Sequence, residues 1–203
     1  MLRRMKIYPS CLKQMIRNTD SPRPPENPSY QPTCVFLLLF DKEKNKDKKQ
    51  EPYILAIQKT DTEGYPWRNQ VALPGGHVDE TDSSPADAAF RELEEEVNIS
   101  RDQVEFIGSM GHFPTMKSKV IEAFVGLWNG EGPVHYDSSE IARVLEIPLK
   151  KLIETHKTKN FHGRQPDLAD LVYPFQDVLI WGATARILHH FIELSYPLFD
   201  TYQ

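Results

Sequence analysis

Residues 84–98 read Ser84-Pro85-Ala86-Asp87-Ala88-Ala89-Phe90-Arg91-Glu92-Leu93-Glu94-Glu95-Glu96-Val97-Asn98, and they predict a helix with both ends marked. Ser84 is a good N-cap, Pro85 fits the first helical position, Asp87 complements the positive end of the dipole, and Asn98 tolerates the left-handed conformation that closes a helix. Ala86, Phe90, Leu93 and Val97 recur at helical spacing and supply one buried stripe. Glu92, Glu95 and Glu96, at i, i+3 and i+4, gather on a face that points away from that stripe, while Glu94 sits elsewhere. Such a cluster of oxygens suits a hard divalent cation, Mg2+ or Mn2+, and Mg2+ also binds substrate phosphates. Exposed like charges at this spacing cost only about 0.2–0.5 kcal/mol, so the helix alone reads equally well as a solvated acidic surface. Gly75-Gly76 upstream favours the metal, because a glycine pair permits a tight turn and lets backbone carbonyls approach a ligand closely.

Outward from the helix, Cys34-Val35-Phe36-Leu37-Leu38-Leu39-Phe40 is a continuous apolar run of strand length, as expected of a strand buried on both faces. Tyr53 to Ile57 reads as its hairpin partner, with the lysine-rich segment Lys42 to Gln50 as a solvated tip. Val104 to Gly108 and Val120 to Trp128 read as strands, Pro148 to Thr155 as a short helix and Gly182 to Ser195 as a closing helix. Strands and helices interleave without a repeat, which predicts an α/β or α+β layered fold with a mixed sheet. Asp20 to Pro32 holds five prolines among polar residues. Residues 1–32 therefore read as a short amphipathic extension with a connector, and 33–203 as the folded domain.

The chain of 203 residues fits one domain, and its 39% hydrophobic content supports a core without disulfides or a structural metal. A net charge of −5 gives no broad electropositive face, which argues against nucleic acid as the main partner. The longest apolar run has seven residues, far below the roughly 20 a spanning helix needs, so no membrane is expected. Cys11 and Cys34 stand alone, with no C-x-x-C and no histidine cluster at zinc spacing; disulfide scaffolds and zinc sites are poor readings, and a reducing cytoplasm suits the chain. The first 19 residues carry Arg3, Arg4, Lys6, Lys13 and Arg17 without an acid, a faint organelle-targeting character. His189-His190 and Glu193 do not form H-E-x-x-H and read as ordinary helix residues.

Gly75-Gly76-His77-Val78-Asp79-Glu80-Thr81-Asp82, followed after eight residues by Arg91-Glu92-Leu93-Glu94-Glu95-Glu96-Val97-Asn98-Ile99, strongly resembles the signature loop and helix of the Nudix hydrolases, G-x5-E-x7-R-E-U-x-E-E-x-G-U with U aliphatic. Asp82 replaces the first Glu, one extra residue precedes Arg91, and Asn98 replaces the last Gly. The first two departures look like the coenzyme A diphosphatase branch. Ile54 to Thr60, Trp67 to Gly76, Ser139 to Leu149 and Ile180 to Leu188 are also similar to branch segments, so the resemblance covers approximately residues 33–194. Lys59 stands where the branch has Arg, Trp67 where it has His, Asn69 where it has Gly and Leu73 where it has Phe, four changes in what reads as the substrate-facing signature.

The resemblance implies an α/β/α sandwich with a mixed central sheet and hydrolysis of a P–O–P bond in a small nucleoside diphosphate derivative. Coenzyme A or an acyl-CoA comes first; ADP-ribose or a nucleotide sugar is the alternative, and a catalytically silent nucleotide sensor a third. It implies Mg2+ or Mn2+ held by Glu92, Glu95 and Glu96 with the carbonyl of Gly76, and Arg91 orienting the glutamates. Glu95 or Glu140 is the implied general base, and Lys59 and Arg68 are the implied contacts to substrate phosphates. A homodimer is left open.

Overall fold

The computed structural model describes residues 9–25, 30–44, 49–64, 67–115 and 119–200. Its axis is β1 (Gln31–Lys44), whose apolar run feeds two cores at once. Phe36, Leu38 and Phe40 are buried on one face, and Leu37 and Leu39 on the other. A strand covered on both sides has no solvated face to alternate towards, hence the unbroken run.

One edge of β1 runs parallel to β6 (Lys119–Trp128), which pairs antiparallel with β5 (Val104–Pro114). The other edge forms a hairpin with β2 (Lys49–Lys59) over residues 38–44 of β1, and β7 (Ile141–Pro148) covers the far edge of β2. Where β1 and β2 diverge, residues 70–77 are inserted between them. There β3 (Val71–Ala72) pairs with β2 at Gln58 and Ile57, and β4 (Gly75–His77) pairs with β1 at residues 33–35. Phe36 N–H donates to the Pro74 carbonyl at 2.8 Å and Lys59 N–H to the Gln70 carbonyl at 2.9 Å. The glycine turn is thus part of the sheet, its backbone hydrogen-bonded to strands on both sides.

Across one face lies α2 (Pro85–Val97), with Ala88, Ala89, Phe90, Leu93 and Val97 buried against Phe36, Leu38, Phe40, Leu55 and Ile57. The rings of Phe36 and Phe90 meet in a tilted pair, centroids 4.8 Å apart. Both ends of the helix are as the sequence predicts. Asp87 N–H donates to Ser84 Oγ at 3.1 Å, and Asn98, at φ 56°, closes the last turn with its N–H on the Glu94 carbonyl at 3.0 Å. On the opposite face α1 (Pro9–Arg17), α3 (Leu149–Thr158) and α4 (Gly182–Asp200) pack around Leu37, Leu39, Ile54, Ala56 and Val125. A two-stranded hairpin of β8 (Tyr173–Phe175) and β9 (Val178–Ile180) leads into α4. The architecture is the expected α+β sandwich of three layers around a mixed sheet.

The hairpin tip at residues 45–48, residues 1–8 of the basic N-terminus and residues 26–29 of the proline-rich connector lie outside the described residues. Among those described, no helix is long and apolar enough to cross a membrane. Residues 9–25, read from sequence as extension and connector, lie against the core. Leu12 is fully buried in the layer shared with α4, with Met15 and Ile16 beside it. The Pro22 carbonyl accepts from His112 N–H at 2.7 Å, and a Cβ on Gly111 would come within 2.6 Å of that carbonyl oxygen. Leu12→Ala should therefore cost about 2–5 kcal/mol, the range for truncating a buried leucine. In urea the midpoint should fall with the slope unchanged; an unmoved midpoint would mean that α1 stands outside the cooperative unit.

Candidate active site

The seating of α2 distributes its three acidic side chains unequally. Glu96 is only 9% exposed: one carboxylate oxygen accepts from Gly75 N–H at 2.9 Å and the other from Lys59 Nζ at 2.6 Å. Glu92, 17% exposed, leans over Gly76, whereas Glu95 is 61% exposed. The sequence expectation of one face turned away from the core thus holds for Glu95 alone. Leu93 and Val97 pull the helix so close to β4 that Glu92 and Glu96 are tucked between helix and sheet. Burial pushes the Glu96 carboxyl above its usual range, against the lowering influence of Lys59 and the Gly75 N–H.

That closeness explains both glycines. Gly75 sits at φ 148°, and a Cβ there would lie 2.1 Å from the Cys34 carbonyl oxygen. A Cβ on Gly76 would lie 2.3 Å from the Glu92 carboxylate. Beneath the turn, the buried Cys34 thiol donates to the Gly76 carbonyl at 3.7 Å. Burial pushes this thiol up to about 12, which keeps it protonated and so a donor.

Arg91 ties the loop to the helix. Its fork takes Asp82 with two bonds, Nε to Oδ1 and Nη2 to Oδ2, both 3.1 Å, and Nη2 also donates to the His77 carbonyl at 3.1 Å. Nη1 donates to Glu92 at 3.0 Å and to Glu95 at 3.1 Å, and Asp79 lies 3.4 Å from Nη2. The guanidinium holds the Asp82 carboxyl below the ordinary aspartate range. Asp82 and the extra residue before Arg91 therefore still deliver a carboxylate to the arginine.

The other expected site residues are spread more widely. Lys59 faces Glu96 at the end of β2. Glu140 closes the turn into β7: its carbonyl accepts from Thr60 N–H at 3.0 Å, and the next residue, Ile141, is the cross-strand partner of Lys59. Its side chain is exposed at this rim. Arg68 stays on the surface, 3.6 Å from Asp61. Of the four changes read as substrate-facing, two have other roles. Asn69 adopts φ 58°, a left-handed conformation that Asn, after Gly, accommodates best. Leu73 is buried in the core on the face away from α2.

Sequence reasoning missed Cys34 and Lys119, which meets His77 and Trp67 at one rim. Lys119 Nζ donates to His77 Nε2 at 3.0 Å and lies 5.8 Å from the Trp67 ring centroid. It also missed Glu122, which shares a cross-strand row with Cys34 and Gly76 and accepts from Ser109 Oγ at 2.7 Å. No local motif marks these residues, because strand pairing brings them together. Glu92, Glu95, Glu96 and the Gly76 carbonyl offer oxygen donors only, and the Glu92 carboxylate occupies the space that a Cβ at residue 76 would take. The residues fit Mg2+ or Mn2+.

The family model described as NUDIX domain matches residues 31–169. Two curated relatives, each named as an uncharacterized Nudix hydrolase NudL, come from Photorhabdus laumondii, 32% identical over 126 residues, and Cronobacter sakazakii, 33% identical over 121 residues. These matches cover 61% and 59% of this chain and 67% and 63% of the relatives, about two thirds of their length. A solved MutT/nudix family protein from Enterococcus faecalis is similar in fold, with a TM-score of 0.54 at 18% identity over 95% of this chain and 76% of that one. Gly76→Ala should leave the thermal midpoint nearly unchanged, since the group it meets is the flexible end of Glu92. It should weaken the divalent-cation dependence of turnover roughly 10–100-fold, the usual cost of disturbing a ligand's setting. A Mg2+ titration of activity reads this; a wild-type curve would show that Glu92 needs no open space at residue 76.

Proposed function

The chain belongs to the Nudix hydrolase family, and we propose on that premise that it hydrolyses the P–O–P bond of coenzyme A or an acyl-CoA, giving phosphopantetheine and adenosine 3',5'-bisphosphate. The observation that carries this is the Arg91 hub, which holds Glu92 and Glu95 while Gly75 and Lys59 hold Glu96. An intact, tethered carboxylate set also speaks against a silent sensor. The branch choice is supported by Asp82 on Arg91 and by Asn69, which preserves a backbone conformation that glycine would provide.

Glu92, Glu95, Glu96 and the Gly76 carbonyl would hold Mg2+ or Mn2+. When bound, the dication supplies charge neutralisation at the diphosphate and lowers the pKa of a water. Gly75 N–H and Lys59 favour the ionised form of Glu96 against its burial. The ammonium of Lys59 places a fixed positive charge beside the anionic linkage. Arg68 is free to leave Asp61 for a phosphate, because an exposed pair of this kind is worth only about 0–1 kcal/mol. The candidates for taking a proton from the attacking water are Glu95, open to solvent on α2, and Glu140, in the turn into β7 beside the end of β2.

A second reading, ADP-ribose or a nucleotide sugar, draws on Trp67 and Lys59, the two departures from the branch that do lie beside the site. Coenzyme A, ADP-ribose and nucleotide sugars, each incubated with the protein and Mg2+ or Mn2+ and resolved by chromatography, separate the two. Coenzyme A should give adenosine 3',5'-bisphosphate fastest; ADP-ribose cleaved well ahead of it would overturn the branch assignment. Glu96→Gln should lower turnover at least roughly 100-fold with the helix kept, since size and helix propensity are retained. For the general base, Glu95→Gln and Glu140→Gln are compared: the base's variant should lose about 10²–10⁴ in kcat, with the cation dependence unchanged in Glu140→Gln, which removes no ligand. Wild-type kcat in both would remove both candidates.

A further inference from the structure

On the face of the sheet away from α2, three ligand-type side chains converge that take no part in the site above. His156 lies in the last turn of α3, His162 in the following loop and Glu193 on α4. Their ligand atoms all lie within 4.8 Å of one another. His156 Nε2 is 2.7 Å, and His162 Nδ1 3.0 Å, from the same oxygen, Glu193 Oε1. We propose that His156, His162 and Glu193 form a second cation site, selective for a zinc-class divalent ion, that joins α3 and its following loop to α4.

The donor set fixes the class of ion. Two imidazole nitrogens and one carboxylate oxygen suit zinc and its transition-metal neighbours, whereas Mg2+ and Ca2+ prefer oxygen alone. Around a tetrahedral centre with bonds of about 2.0–2.1 Å the ligands stand roughly 3.3 Å apart, so the two nitrogen–oxygen separations would open by about 0.3–0.6 Å, while the two nitrogens already lie within 4.8 Å of one another. The side chains are also braced as ligands usually are. His156 is fully buried, with Nδ1 2.9 Å from the hydroxyl of the buried Tyr173, which leaves Nε2 facing the centre. The second oxygen of Glu193 accepts from Gly163 N–H at 2.9 Å, and the His162 ring stacks on Tyr196 with centroids 3.5 Å apart. Burial lowers the pKa of His156 and so favours the neutral imidazole that a metal requires.

Two further features agree. The cluster is closed on the His156 side, but His162 is 49% and Glu193 23% exposed, which gives an entry path and room for a water as fourth ligand. Beside it, His189 packs its ring 5.0 Å from His156 and helps to hold that imidazole in place. The expectation from sequence that zinc sites are a poor reading rested on the absence of a contiguous motif. Here Glu193 follows His162 by 31 positions, and only the packing of α3 against α4 unites them.

A hydrogen-bonded clip of two imidazoles on one carboxylate makes the opposite prediction. The full chain, stripped with a chelator and returned to excess Mg2+ to occupy the α2 carboxylates, is titrated with Zn2+ by calorimetry and with Co2+ by visible absorption. The expected result is one equivalent of each, with the Co2+ spectrum of a low-coordinate nitrogen and oxygen site. Affinity should fall at least roughly tenfold in His162→Ala and in Glu193→Gln while Mg2+-dependent hydrolysis persists. In the wild type, zinc should also shift the side-chain 15N resonances of His156 and His162, a readout that needs no variant. No zinc equivalent in excess Mg2+, or binding that leaves both imidazole signals in place, overturns the proposal.

Discussion

With no side chain at residues 75 and 76, the backbone of β4 comes against β1 on one side and under α2 on the other, and both contacts are too close for a Cβ. The apolar stripe of α2 sets this depth, because Phe90, Leu93 and Val97 are buried against Phe36, Leu38 and Leu55. Hydrophobic packing on one side of the helix is thereby converted into placement of charge on the other. Glu96 meets Gly75 N–H, and Glu92 fills the space above Gly76, only because the helix is held that low. A helix standing further out would leave all three glutamates as solvated surface, the bland alternative the sequence also allowed.

Bringing these acids together creates an electrostatic debt that the chain only partly offsets. Asp79, Asp82, Glu92, Glu95 and Glu96 share two cations, Arg91 and Lys59. Arg91 uses its planar fork in full, spending two bonds on Asp82 and the rest on the turn and the glutamates, a geometry that a lysine does not reproduce. The remaining negative charge is concentrated where Arg91 Nη1 bridges Glu92 and Glu95. A dication held there would relieve that excess, so charge balance favours the partner that the carboxylate chemistry also suits.

What could be read from the sequence was local. The ends of α2, its stripe and its carboxylate spacing are all decided within fifteen residues, and the Cys34 to Phe40 run declares its own burial on two faces. The misreadings concern depth and pairing across long separations. The wheel that grouped Glu92, Glu95 and Glu96 could not register that β4 passes beneath two of them. Leu73 resembled a substrate-facing position until its side chain was found on the far side of the sheet. Residues 9–25 read as extension and connector by composition, and Lys13 and Pro22 find partners some ninety positions away on β5. β7 carries only weak alternation and gains its place through β2, a partner no local pattern names.

The layering has a chemical consequence beyond shape. On one face of the sheet α2 presents oxygen donors, and on the opposite face, where α3 meets α4, imidazoles stand with a single carboxylate. Hard ions and borderline ions differ in their affinity for these sets, so a single domain can sort two classes of cation by ligand softness without any difference in net charge. β7 joins the two: it leaves the Glu140 turn beside Lys59 and runs directly into α3, which carries His156. An ion that fixed α3 against α4 would thus anchor the end of the strand whose other end borders the catalytic rim. The same sheet that separates the two donor sets also ties their positions together.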